Sequence, residues 1–345
     1  MSSNIEVKRL RFWSNAVFAC FISLLLTQAA LAGDAKTAEP VKVKVLIGAM
    51  FEIGQMQGDK AGEFQYWYQR YFANSEPMSV VGASNPIYCN AEAVCGAVLG
   101  MGKVASSSNM LAILLDQRFD FSQSYFLITG VAGIPPSVGT IGDVSWASWL
   151  VDYDLGHRWS PEEEPAVSPA FKPRAGYESL RSFPLNQNLV DKVYGKTQSV
   201  ALQTSPSAER YKRRYSQPQA RRKPRLLMGT HVTGDTFFHG PGLSREAQYI
   251  TELYDASPYT MTEMEAAAIA QVINRLHGTQ RLLSLRGAVN FDQGSASEST
   301  LQHLDPAPGN TAGGFDITLQ NIVAVGGHLV DDIVAHWSQW REAEQ

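Results

Sequence analysis

The sequence predicts an α/β sandwich built on a mostly parallel central sheet, and three observations carry that expectation. Short apolar, β-branched runs recur at residues 43–50, 97–100, 125–130, 226–232 and 282–289, each the length of a buried strand. Helical patterns lie between them, which is the alternation of a layered α/β fold. Each run leaves through at least one glycine, the residue that permits a sharp strand exit. A chain of 345 residues with 44% hydrophobic content and seven Trp can bury a sizeable core, in one large domain or two ordinary ones.

Along the chain, Lys8, Arg9 and Arg11 precede an apolar run over residues 12–26, and Ala30-Leu31-Ala32 has the small residues of a cleavage site. Residues 1–32 are therefore expected to be a signal peptide, leaving residues 33–345 as a periplasmic or secreted domain. A retained membrane anchor is the competing reading, whereas Val17-Phe18-Ala19-Cys20 is a poor acylation site. No later stretch could span a bilayer. Cys89 and Cys95 then meet an oxidising compartment, which favours a small local disulfide over two buried thiols. Metal binding there lacks a nearby His or third Cys, and no metal is expected elsewhere.

Helical periodicity covers residues 104–117, 263–277 and 317–340. In the last, Leu319, Ile322, Val325, Leu329, Ile333, Trp337 and Trp340 fall at steps of three and four, so one face should cover the sheet. Residues 160–225 turn charged and rich in Pro and Ser, ending in Arg210-Tyr211-Lys212-Arg213-Arg214 and Arg221-Arg222-Lys223-Pro224-Arg225. This stretch reads as a surface insertion, its basic runs a solvated face or an anion-binding patch. A net charge of −4 supplies no global basic field, so nucleic acid is not an expected partner. Small molecules fit better.

Ligands of such sheets gather at the carboxyl ends of strands. The most informative sequence near those ends is Thr262-Glu263-Met264-Glu265, which opens an alanine-rich helix soon after Gly234-Asp235. A carboxylate there can accept both hydroxyls of a vicinal diol. The same residues also form a capping box, in which Thr262 and Glu265 would satisfy backbone donors.

Taken in order, these strand exits resemble the nucleoside phosphorylase and nucleosidase superfamily. Leu99-Gly100-Met101-Gly102-Lys103-Val104 is similar to its first Gly-rich turn, Thr129-Gly130-Val131-Ala132-Gly133 with Ile141-Gly142-Asp143 to its central strand and hairpin, and Glu263-Met264-Glu265-Ala266-Ala267 to its ribose motif. More closely, residues 125–134 and 138–142, the Cys89 and Cys95 pair, Leu319-Gln320-Asn321 and Trp337 resemble the purine nucleoside permease family. The likeness runs from about residue 43 to 340 and is weakest in the insertion. It implies a three-layer sandwich of nucleoside phosphorylase type with a mostly parallel mixed sheet, and homo-oligomers are common in that superfamily.

The resemblance also implies roles. Glu265 would hold the ribose 2′ and 3′ hydroxyls, Met264 would pack beneath the sugar and Glu263 would support them. Phe237 would stack on the purine with Phe238 alongside, core packing being the alternative for both. Asn290 stands where nucleosidases carry the Asp that protonates purine N7; an amide polarises the base but cannot give up a proton. Asp292, two residues on, is the alternative acid or else the partner of Arg286. Ile53 stands where the water-activating Glu is found, leaving Glu52 one position early as the candidate base. Gly100, Gly102 and Lys103 would form the anion loop, with Lys103 otherwise facing solvent, and His239 would approach the sugar 5′ end or satisfy local bonds. The implied function is purine nucleoside binding in a periplasmic cleft that contributes to uptake and cleaves the N-glycosidic bond, by hydrolysis or phosphorolysis. The alternative is a non-catalytic receptor feeding a separate membrane transporter, because one spanning segment cannot make a path across hydrocarbon. No cofactor is expected, and inorganic phosphate is the one co-substrate left open.

Overall fold

The structure, a computed structural model, describes residues 39–306 and 311–342. The signal-peptide expectation for residues 1–32 lies outside the described residues. In chain order the strands are β1 (Val41–Lys42), β2 (Val45–Ala49), β3 (Pro77–Met78), β4 (Ile87–Cys89), β5 (Val94–Val98), β6 (Phe119–Asp120), β7 (Tyr125–Ile134), β8 (Val144–Asp152), β9 (His157–Arg158), β10 (Phe171–Lys172), β11 (Ser182–Pro184), β12 (Leu226–Thr233), β13 (Tyr259–Glu263) and β14 (Leu282–Phe291). The helices are α1 (Gln65–Trp67, running on as a wider turn over Tyr68–Phe72), α2 (Lys103–Leu114), α3 (Glu178–Arg181), α4 (Gln187–Thr197), α5 (Pro206–Lys212), α6 (Pro218–Arg221), α7 (Pro241–Leu253), α8 (Ala266–Leu276), α9 (Thr300–Leu304), α10 (Phe315–Ala335) and α11 (Trp337–Glu342).

The central sheet runs β11, β8, β12, β13, β7, β2, β5, β4, β3, with β14 lodged between β7 and β8. Strands β5, β2, β7 and β14 run parallel to one another, as do β8, β12 and β13. The two sets meet antiparallel at β13 with β7 and at β8 with β14, so the path from β8 through β12, β13, β7 and β14 returns to β8. That half of the sheet closes on itself. The apolar runs of the sequence correspond to β2, β7, β12 and β14 and to the exit of β5.

Alternation along β14 separates the layers. A Cβ on Gly287 would meet Thr318 and Ile322 of α10, whereas the neighbouring Arg286 reaches Glu263 and Glu265 at the head of α8. Helix α10 therefore covers one face, and α8 with α2 lies over the other. The terminal helical pattern is interrupted at His336, whose ψ of 36° leaves the helical region, and resumes as α11. Among the described residues, no helix is long and apolar enough to cross a membrane.

The stretch at residues 160–225 is exposed over 160–168, but its second half is built into the fold. Strand β11 pairs with β8 at the sheet edge, and Leu189, Val190 and Val193 of α4 join the main core. Cys89 and Cys95 face each other across the β4–β5 pair and are joined by a disulfide.

Candidate functional site

A cavity of about 200 Å³ opens where β7, β13 and β14 end, lined among others by Met50, Glu63, Val131, Thr262, Met264, Glu265, Arg286, Asn290 and the exposed ring of Phe237. Its polar centre is Arg286, which is 1% exposed. Its guanidinium lies 2.8 Å from Glu263 and 3.1 Å from Glu265 through the same nitrogen, Nη2.

The two carboxylates divide the labour at the head of α8. Glu263 accepts the backbone N–H groups of Glu265 and Ala266, each at 2.8 Å, and the Thr233 hydroxyl. It caps the helix. Glu265 is the N-cap residue by position, yet its side chain makes no capping bond. Instead it turns into the cavity, accepting Gly102 N–H at 2.9 Å and Arg286 at 3.1 Å. Those two bonds leave lone pairs free for a ligand. Burial raises the Glu265 carboxyl above its usual range, Arg286 opposes the shift and Glu263 adds to it. The capping-box reading therefore fails for Glu265.

Sequence reasoning missed Glu63. This buried residue lies 13 positions beyond Met50, and the loop between them folds it back so that its carboxylate accepts Met50 N–H and Val131 N–H, both at 2.7 Å. Burial pushes its carboxyl up to about 7, against the pull of Arg286 and with the push of Glu265. The one available signal was a glutamate following Gly62, beyond the reach of a fixed-spacing motif.

Four expected site residues lie elsewhere. Glu52, the candidate base, spends its carboxylate on the N–H groups of Ile53, Gly62 and Phe64, and so closes the loop that delivers Glu63. Phe238 is buried and stacks on Tyr153 with centroids 4.5 Å apart, a core contact. Lys103 is held by Asp154 at 2.7 Å and Asp152 at 3.1 Å, so its charge is already matched. Asp292 does not pair with Arg286. It accepts from Ser244 at 2.6 Å and Tyr259 at 3.0 Å, and burial lifts its carboxyl to about 6. Asp292 follows the end of β14, beyond a register shift between Ala288 and Asn290, and its hydrogen bonds run to α7 and β13 rather than to Arg286. His239 is buried between Phe237 and His303, with centroids 5.3 and 4.6 Å away.

The glycines of the first turn have a conformational cause. Gly100 and Gly102 have φ of 93° and 81°, in the left-handed region, which turns the Gly102 N–H toward Glu265.

The family model for purine nucleoside permease matches residues 42–345. The chain belongs to the purine nucleoside permease family. A Schizosaccharomyces pombe protein described as "probable purine nucleoside permease" is 26% identical over 348 residues, covering 92% of this chain and 96% of that one. A 5′-methylthioadenosine/S-adenosylhomocysteine nucleosidase of Mycobacterium bovis is 29% identical over 191 residues, 53% of this chain and 64% of its own length. The solved structure of a Helicobacter pylori nucleosidase of the same description superposes with a TM-score of 0.52 at 16% identity, covering 84% of this chain and 99% of that chain. The fold is thus of the nucleoside phosphorylase type. Within this permease-family chain, the residues brought together at one cavity are Glu263, Met264, Glu265, Phe237 and Asn290, joined by Arg286 and Glu63.

Proposed function

We propose that this protein binds purine nucleosides in the cavity at the ends of β7, β13 and β14 and hydrolyses their N-glycosidic bond. The observation that carries the reading is the Glu265 carboxylate, held by Gly102 N–H and Arg286 and turned away from its own helix. Glu265 receives the ribose diol, Met264 supports the sugar, Phe237 covers the base and Asn290 hydrogen-bonds its edge. Glu63 takes the role first given to Glu52: a carboxylate raised to about 7 is suited to accept a proton from water near neutral pH. Phosphorolysis is disfavoured because Lys103 is already paired and the cavity holds three carboxylates against one guanidinium, a field that repels phosphate.

A second reading, a non-catalytic receptor handing nucleoside to a membrane transporter, draws support from Asn290, which cannot protonate a leaving base. Export by residues 1–32 would put either version outside the cytoplasm, where the Cys89–Cys95 bond is stable. Incubation with adenosine, inosine and guanosine, with and without phosphate, separates the readings. Free base with free ribose is expected, independent of phosphate. Ribose 1-phosphate would mean phosphorolysis, and bound but intact nucleoside would mean a receptor. Glu265→Ala should weaken nucleoside binding at least about tenfold, and an unchanged affinity would remove the site from this cavity.

A further inference from the structure

The cavity is polarised along β7 and β14. A Cβ on Gly130 would meet Arg286 and Glu63 at 2.6 and 2.7 Å, whereas one on Gly133 would meet Asn290 at 3.3 Å. The two glycines are three residues apart on one strand, roughly 10 Å. Strand pairing places Arg286 opposite Gly130 and Asn290 opposite Gly133, so both strands share this polarity. One end therefore gathers Glu63, Glu263 and Glu265 around a single guanidinium, the other offers the Asn290 carboxamide, and the Phe237 ring lines the same cavity. Among the described residues no carboxylic acid lines the second end, and Asp292, the nearest in sequence, is held outside the cavity lining through Oδ2 by Ser244 and Tyr259.

A neutral purine that departs without a proton leaves as an anion, into a cavity with excess negative charge. Among the described residues that line its end, none is an acid that could supply the proton. A base that already carries a positive charge departs neutral and needs no acid, and before cleavage its charge is favoured by the carboxylates and by an aromatic face.

Resting on the nucleosidase reading, we propose that the preferred substrates are ribonucleosides whose base bears a fixed positive charge, such as N7-alkylpurine or pyridinium ribosides. The C1′–N bond breaks with its electron pair staying on nitrogen, which neutralises the base. The ribosyl oxocarbenium ion forms a bond to water oxygen, and the water proton passes to Glu63 and then to solvent. The sum is cationic nucleoside plus water giving neutral base, ribose and one proton.

The test measures acceleration over buffer alone at pH 7 for guanosine, 7-methylguanosine and nicotinamide riboside. Because a general acid supplies on the order of 10²-fold or more, the acceleration for the two cations should exceed that for guanosine by about that factor. Asn290→Asp, which restores an acid, should raise the guanosine acceleration at least about tenfold and shrink the ratio. Equal acceleration of guanosine and 7-methylguanosine would overturn the charge preference while leaving the nucleosidase reading intact. No acceleration of any of the three, with binding retained, would overturn both.

Discussion

Burial raises the Glu63 carboxyl from 4.5 to about 7, although Arg286 pulls it down. The native state thus binds a proton that the unfolded chain has released, and the associated stability is full below 4.5 and lost as pH rises through 7. Glu63→Gln carries no such titration. The stability of the variant relative to the parent should therefore improve by about 2 kcal/mol between pH 5 and pH 8, read from urea midpoints at the two pH values. A constant difference would show that Glu63 does not titrate in the native state. Under the proposed mechanism the cleavage rate climbs as Glu63 ionises near pH 7, and that limb should vanish in Glu63→Gln. The sequence pointed to a base in this loop and chose Glu52, because a motif is read at fixed spacing. Backbone donors to Glu52 and to Glu63 decide which carboxylate is consumed and which faces the cavity, and that bookkeeping is set by the loop's path.

Strands β2, β7, β12 and β14 were legible because buried strands leave continuous apolar runs. The closure of β8 onto β14 was not, since a three-residue antiparallel contact between Leu285–Gly287 and Val144–Trp146 has no local pattern. The same limit hid the register shift in β14 and the two carboxylates that Arg286 meets across the sheet. Strand β7 shows how closely the elements approach: at Gly130 an added methyl would have to displace both Arg286 and Glu63, whose ends are pinned by other bonds. Gly130 needs no unusual φ, so the strain of Gly130→Ala is purely one of space. Overpacking of this kind costs about 1–3 kcal/mol. The variant should lose that much stability, read from its urea midpoint and slope, together with a loss of nucleoside affinity greater than at Gly195→Ala, where nothing lies within 4 Å. Equal effects at the two positions would mean the charged cluster yields easily.

At the level of the whole chain, the basic segment before β12 is a clamp as well as a surface. Arg222 forms a bidentate pair with Asp143, through Nη1 at 2.7 Å and Nη2 at 2.5 Å, in the connection between β7 and β8, which the intervening β14 keeps from being a hairpin. Asp143 is fully buried and also accepts Thr140 N–H at 2.9 Å and Arg225 N–H at 2.8 Å. Its own carbonyl receives Ala288 N–H of β14, so one residue ties three strands to the stretch expected to be a surface insertion. Burial raises the Asp143 carboxyl, and Arg222 is the chief opposing influence. Losing one partner of a buried pair costs about 3–5 kcal/mol, and the partial exposure of Arg222 with the two surviving N–H donors brings the expectation nearer 2–4 kcal/mol. Arg222→Ala should lower the urea midpoint of the entire chain in one transition, and the deficit should shrink toward pH 5 as the stranded carboxyl takes a proton. A change within about 0.5 kcal/mol would instead be the signature of a solvated loop, and would detach the segment from the stability of the sheet.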